Sequence, residues 1–154
     1  MNHPVRYSVL SFCPDLTDLQ SLPIPVAVVA VVELSKDSAA VFVGAERFPE
    51  DRKRDPFGIL ADLARFLDAR VQEGIAETGT SGLLGFLQKR LTQSFTFGPT
   101  EEDVVALTND NQSAELMAGL LRIYREVIVT HGPASGSSLD LPTLHVQQIG
   151  HTAA

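Results

Sequence analysis

The chain has little of what builds staples, cages or anchors. Cys13 is its only cysteine, so no disulfide can close within it and no four-cysteine zinc site can form. A lone thiol suits a reducing compartment, and the chain is expected in the cytoplasm. Long apolar runs are missing too: the most apolar stretch, Val26 to Val32, falls far short of the ~20 residues of a membrane-spanning helix. The opening residues Met1-Asn2-His3-Pro4-Val5-Arg6-Tyr7 lack the charged segment, apolar core and cleavage site of a secretory signal, so neither export nor membrane association is expected. No repeat at solenoid or propeller spacing appears.

Excess positive charge is also lacking. The formal charge is -7, the wrong sign for a broad grip on nucleic-acid phosphates, and no nucleic-acid partner is expected. The densest basic cluster, Arg52-Lys53-Arg54, lies among Glu46, Arg47, Glu50, Asp51 and Asp55, so local charges cancel and the segment reads as a solvated loop.

What is present is enough for one core. A chain of 154 residues, 44% hydrophobic, buries roughly two thirds of the surface it exposes when unfolded. The pattern predicts an α+β fold, with a small antiparallel sheet of at least three strands packed with about three amphipathic helices. One domain is expected over 1–131, followed by a flexible or weakly ordered C-terminal tail over 132–154, where Gly-Pro-Ala-Ser-Gly-Ser-Ser has the composition of a linker.

Val5 to Cys13 alternates, with Val5, Tyr7 and Val9 on one side and Leu10 and Phe12 on the other, and reads as the first strand. Leu16 to Pro23 reads as a loop, closed by the prolines Pro23 and Pro25. Val26 to Leu34 is apolar on both alternating sets until Glu33, as in a mid-sheet strand covered on both faces. Ser35-Lys36-Asp37-Ser38 is turn chemistry, and Ala39 to Gly44 resumes the strand, which predicts an antiparallel hairpin.

Asp55-Pro56 marks a helix start. Ile59, Leu60, Leu63, Phe66, Leu67 and Val71 then follow at helical spacing to about Glu73. After Gly74 and Gly79, Ser81 opens a second helix with Leu83, Leu84, Leu87 and Leu91, and the two are expected to form a helical hairpin. Phe95 to Phe97 is a short strand, and Thr100 to Leu107 fits either a capped helix or a return strand. Leu116, Leu120, Ile123, Tyr124 and Val127 trace a third helical face through Ile128. Leu139 to Ile149 is able to add an edge strand.

None of the candidate chemistries outweighs its plain structural reading. His3, His131, His145 and His151 lie near a terminus or in the tail, with no close helical spacing and no carboxylate cluster, so no metal is expected. Gly79, Gly82 and Gly85 place Gly-Thr-Ser-Gly-Leu-Leu-Gly at a helix start, but the stretch follows a helix and lacks the Gly-Lys-Ser/Thr ending of a phosphate loop; an interhelical turn explains it. Ser135, Ser137 and Ser138 near His131 and Asp140 lack a framework to hold a nucleophile. Cys13, at the end of an apolar strand, reads as a small buried side chain. Glu101, Glu102 and Asp103 are accounted for as acids favoured in a helix's first turn. Catalytic residues are unknown, and no cofactor is expected.

Tyr7-Ser8-Val9-Leu10-Ser11-Phe12-Cys13-Pro14-Asp15, the strand Val26-Ala27-Val28-Val29, and Ser94-Phe95-Thr96-Phe97 before a helix with Leu121 and Tyr124 resemble a bacterial family, domain of unknown function 3037. The likeness spans most of residues 5 to 129. It departs in the valine strand, where Pro25-Val26-Ala27-Val28 stands for that family's Asn-Val-Gly-Val. The resemblance implies a bacterial source and no known activity or catalytic residue. Because some members occur beside toxin-type serine kinases, it also implies a partner role.

The resulting expectation is a non-enzymatic protein-interaction or regulatory accessory module. The alternative is an enzyme with an unfamiliar small-molecule site between helices and sheet. A homodimer is expected as well, because Val26 to Val32 needs cover on both faces and three helices look too few to supply it.

Overall fold

The computed structural model describes residues 2–12, 24–35, 38–46, 62–90, 95–108, 112–131 and 143–150. Alternation decides its first elements. In β1 (Asn2–Phe12), Val5, Tyr7 and Val9 pack to one face of the sheet and Leu10 and Phe12 to the other, with the strand starting at Asn2 rather than Val5. β2 (Ile24–Glu33) and β3 (Ser38–Ala45) form the expected antiparallel hairpin, with Val32 opposite Ala40 and Val28 opposite Gly44. The hairpin closes where the amides of Leu34 and Ser35 both donate to Ser38 O at 3.1 Å and the Ser35 and Ser38 hydroxyls meet at 2.9 Å. Pro25 belongs to β2 and not to the preceding loop; it sits at the register shift between Leu10 and Ser11, where its missing donor is tolerated.

β4 (Phe95–Phe97) and β5 (Glu101–Ala106) both pair antiparallel with β1, Phe97 opposite Leu10 and Glu101 opposite Tyr7. Four steps from Phe97 to Glu101 match three from Leu10 to Tyr7, so one extra residue is taken up around Gly98-Pro99. Gly98 still donates to Val9 O at 2.9 Å. The two strands act as one rim strand interrupted by a bulge. Of the two readings of Thr100 to Leu107 the strand is the one found, over Glu101–Ala106: β-branched Val104 and Val105 and the ladder to β1 outweigh the helical option. The helix-dipole account of Glu101, Glu102 and Asp103 falls with it.

The C-terminal segment also differs from a simple tail. β6 (Thr143–Gly150) lies beyond the boundary expected at residue 131 and pairs with β3 over its whole length, Val146 opposite Phe42. The option of an added edge strand is the one the fold takes there. The sheet order is β4-β1-β2-β3-β6, with β5 also on β1, so β2 is central.

α1 (Leu63–Arg90) is broken at Gly79, whose φ of 70° and ψ of -179° fall in a region open to glycine. The start expected at Asp55-Pro56 lies outside the described residues. A Cβ added to Gly74 would meet Leu83 Cδ1 and Phe86 Cδ1 at 2.7 Å, and Arg90 Nη2 lies 3.7 Å from Glu77 Oε2. In a straight helix those last two residues would stand about 20 Å apart along the axis. The two arms therefore fold back on each other. Leu63, Leu67, Val71, Leu83 and Leu87 from both arms cover Leu10, Ala27, Val29, Val31, Val41 and Val43.

α2 (Gln112–His131) is unbroken and lays Leu116, Leu120, Ile123, Tyr124, Val127 and Ile128 over Val5, Val28, Ala30, Val32, Phe42 and Val105 on the opposite face. Every residue from Val26 to Val32 is at most 1% exposed within the single chain. The shortage of cover that motivated a homodimer is thus removed, since two helices on opposite faces suffice for a narrow central hairpin. Glu101–Ala106 and Thr143–Gly150 widen the sheet and do not cover it.

Candidate functional site

The even-numbered residues of β1 all face α1, and they change character along the strand. Phe12 and Leu10 pack in the core, Ser8 is buried and polar, and Arg6 and Pro4 follow toward the N-terminus. Arg6 stands opposite Val31 on one side and Glu102 on the other, and Glu33 ends β2 on the same face. The apolar floor therefore stops at Val31, and the helical cover ends above the same place. Arg6 Nη1 donates to Ser81 O, 3.5 Å away, just past the break at Gly79.

Two shallow clefts meet at Arg6 and Glu33 and form one trough across this end of the sheet. The first, about 320 Å³, is lined by Pro4, Val5, Arg6, Glu33, Glu102, Asp103 and Val104. The second, about 340 Å³, is lined by Arg6, Val31, Glu33, Ser35, Ser38, Ala39, Thr80 and Ser81. Val104, 46% exposed, is the large apolar side chain left open among the described residues. One guanidinium between two carboxylates, with hydroxyls around an apolar floor, is suited to holding an extended polar chain or a small polar molecule by hydrogen bonds. It contains no pairing of nucleophile and histidine base among the described residues.

The groups with displaced titration lie on the other side of the sheet. Burial, reinforced by the carboxylates of Glu101, Asp103 and Glu126, raises Tyr7. Burial, then the neighbouring Glu46 carboxylate, raises Tyr124 strongly. Hydrogen bonds from the Thr108 hydroxyl and amide lower Glu115.

The histidines are not assembled. His3 Nδ1 lies 3.2 Å from Glu33 O, His131 ends α2, and His145 stands opposite Val43 in β6; His151 lies outside the described residues. No group of three metal-ligating side chains occurs among the described residues. Gly79 supplies the break in α1, Gly82 backs onto Thr78, and Gly85 faces open space. Cys13, Arg52-Lys53-Arg54, Ser135, Ser137, Ser138 and Asp140 lie outside the described residues. Glu102 and Asp103 do reach the trough, as strand residues. Arg6 carries a signal that strand periodicity alone passes over: an arginine on the face that Leu10 and Phe12 share marks where this face turns polar.

No helix among the described residues is long and apolar enough to cross a membrane. Comparison with protein-family models, with curated proteins and with solved structures finds no match.

Proposed function

We propose that the chain is a non-enzymatic protein-interaction module, an accessory or regulatory partner acting in the cytoplasm. The observation that carries this reading is the distribution of cover. The apolar parts of both faces over β1, β2 and β3 are covered by the chain's own helices, while the rim strand β5 is paired on one side only among the described residues and exposes Val104 beside the trough. A rim strand is a place for an extended segment of another protein to lie alongside, and here Val104, whose amide donates to Asp103 Oδ1 and whose carbonyl accepts from Arg122, offers that segment its open side chain rather than its main chain. The resemblance of Tyr7 to Asp15, Val26 to Val29 and Ser94 to Phe97 to domain of unknown function 3037 supports the same role, that of a bacterial accessory protein.

Selection of displayed random peptides against the immobilised chain tests this. Enriched extended sequences whose binding is lost in Val104→Lys support it; failure to enrich any binder at micromolar affinity contradicts it. The second reading, an enzyme with a small-molecule site where helices meet the sheet, is favoured by the convergence of Arg6, Glu33, Ser38 and Ser81 on the trough. Turnover of a metabolite pool that disappears in Arg6→Ala would establish it in place of the first.

A further inference from the structure

The two rims of the sheet offer a second strand very different chemistry. The rim formed by β4 and β5 is interrupted at Gly98-Pro99 and carries Glu101, Glu102 and Asp103 in succession. Arg122 also reaches over it, with Nη2 3.4 Å from Val104 O and 3.7 Å from Asp103 Oδ1. Bulges and charges are the usual guards against edge-to-edge pairing, and two copies of this rim would set carboxylate against carboxylate. Within Thr143–Gly150 the β6 rim has neither the bulge nor the carboxylates. Thr143-Leu144-His145-Val146-Gln147-Gln148-Ile149-Gly150 contains no Asp, Glu, Lys, Arg or Pro. It follows β3 in unbroken register from Ser38 opposite Gly150 to Ala45 opposite Thr143, and among the described residues no strand pairs with its other side.

We infer that this edge pairs antiparallel with the β6 edge of a second copy of this chain, joining two sheets into one across a two-fold axis. The inference rests on the interaction-module reading and names one partner of that module. Charge selects the rim: a pair through β5 would set Glu101, Glu102 and Asp103 against their own copies, whereas Thr143–Gly150 holds no charged residue.

Parity then fixes the register. Alternate residues of a strand send their main-chain groups to opposite sides, so when β6 meets itself odd residues match odd and even match even. The axis therefore passes through a residue, Val146 or Gln147 at the strand's centre, and not between two. An edge of eight residues is about 27 Å long, a narrow contact at the low end of interface sizes, so the pairing depends on concentration.

Sedimentation equilibrium of the full chain, combined with a positional cross-link, tests it. A residue on the axis lies about 4.5–5.5 Å from its own copy between Cα atoms, within disulfide reach. In a Cys13→Ser background, Gln147→Cys reports the β6 rim and Val104→Cys the β5 rim. The expected result is a mass that climbs from 16.6 kDa toward twice that value as concentration rises through the micromolar range. With it, mild oxidation yields several-fold more covalent dimer for Gln147→Cys than for Val104→Cys. Val146→Cys, the other axis candidate, replaces Gln147→Cys if the latter loses its folded circular-dichroism spectrum. A mass constant at one chain, or cross-linking at Val104→Cys equal to or above that on β6, overturns the inference. Either outcome leaves the module reading standing, because peptide capture at the β5 rim is read separately.

Discussion

On the α2 side the floor is apolar through Val5, Val28, Ala30, Val32, Phe42 and Val105, with Glu101 and Asp103 of β5 only at its margin, and one unbroken helix lies over it. On the α1 side the same strands run from Leu10, Val29 and Val31 to Arg6, Glu33 and Glu102, and the helix turns back at Gly79 above the place where the change occurs. The difference shows how cover and site are linked. A helix gains from packing only as far as the strands below it keep their alternation apolar. Where one face turns polar, the cover ends and a trough opens, while the opposite face of the same residues stays closed.

The most forceful way to break this comparison is to remove the anchor of the closed face. Phe42 is fully buried and meets Tyr124 edge-on at 6.3 Å between ring centroids. Phe42→Ala is expected to cost about 3–5 kcal/mol in urea unfolding, the range for deleting a buried aromatic. The broken face is attacked at Gly79: its positive φ makes Gly79→Ala cost about 1–3 kcal/mol. The expected spectral changes gather in α1 and the trough, while the methyl resonances of Leu120 and Ile123 stay in place. A smaller effect is expected from Gln88, whose Nε2 lies 3.3 Å from Ser8 Oγ, 3.0 Å from Gly98 O and 3.3 Å from Thr100 Oγ1, tying the second arm to the bulged rim. Gln88→Ala should lower the unfolding free energy by about 0.5–1.5 kcal/mol.

The last difference between the faces is silent at neutral pH. Tyr124 is raised by burial above the ordinary tyrosine value of about 10, so the native state keeps the phenol proton after the unfolded chain has released it. Its contribution is complete below about pH 10 and lost as pH rises beyond that. The urea midpoint should therefore fall between about pH 8 and about pH 10.5, and fall less in Tyr124→Phe. An equal fall in both proteins would show that Tyr124 does not carry the linkage.

Local periodicity made some of this legible beforehand. The hairpin of β2 and β3 and the face of α2 from Leu116 to Ile128 follow from patterns contained within one element, and so does the pair of helical arms around Gly79. The rims were harder because their strands are defined by partners far along the chain. Glu101-Glu102-Asp103 fits a helix N-terminus or a strand equally well until β1 lies beside it. β6 follows a Gly/Ser-rich stretch, and its pairing with β3 spans about a hundred residues of sequence. The trough depends on Arg6 and Glu33 coming together from different strands, beneath Ser81 from a helix. No window of adjacent residues contains that arrangement.

Native-state hydrogen exchange tests most directly the claim that the two faces are closed separately and unequally. The amides of β2 and α2 should exchange only through global unfolding, whereas those of α1 beyond Gly79 should exchange through a smaller opening that persists at low denaturant. Exchange of α2 through an opening smaller than that of the second arm of α1, or both helices opening as one unit, would contradict it.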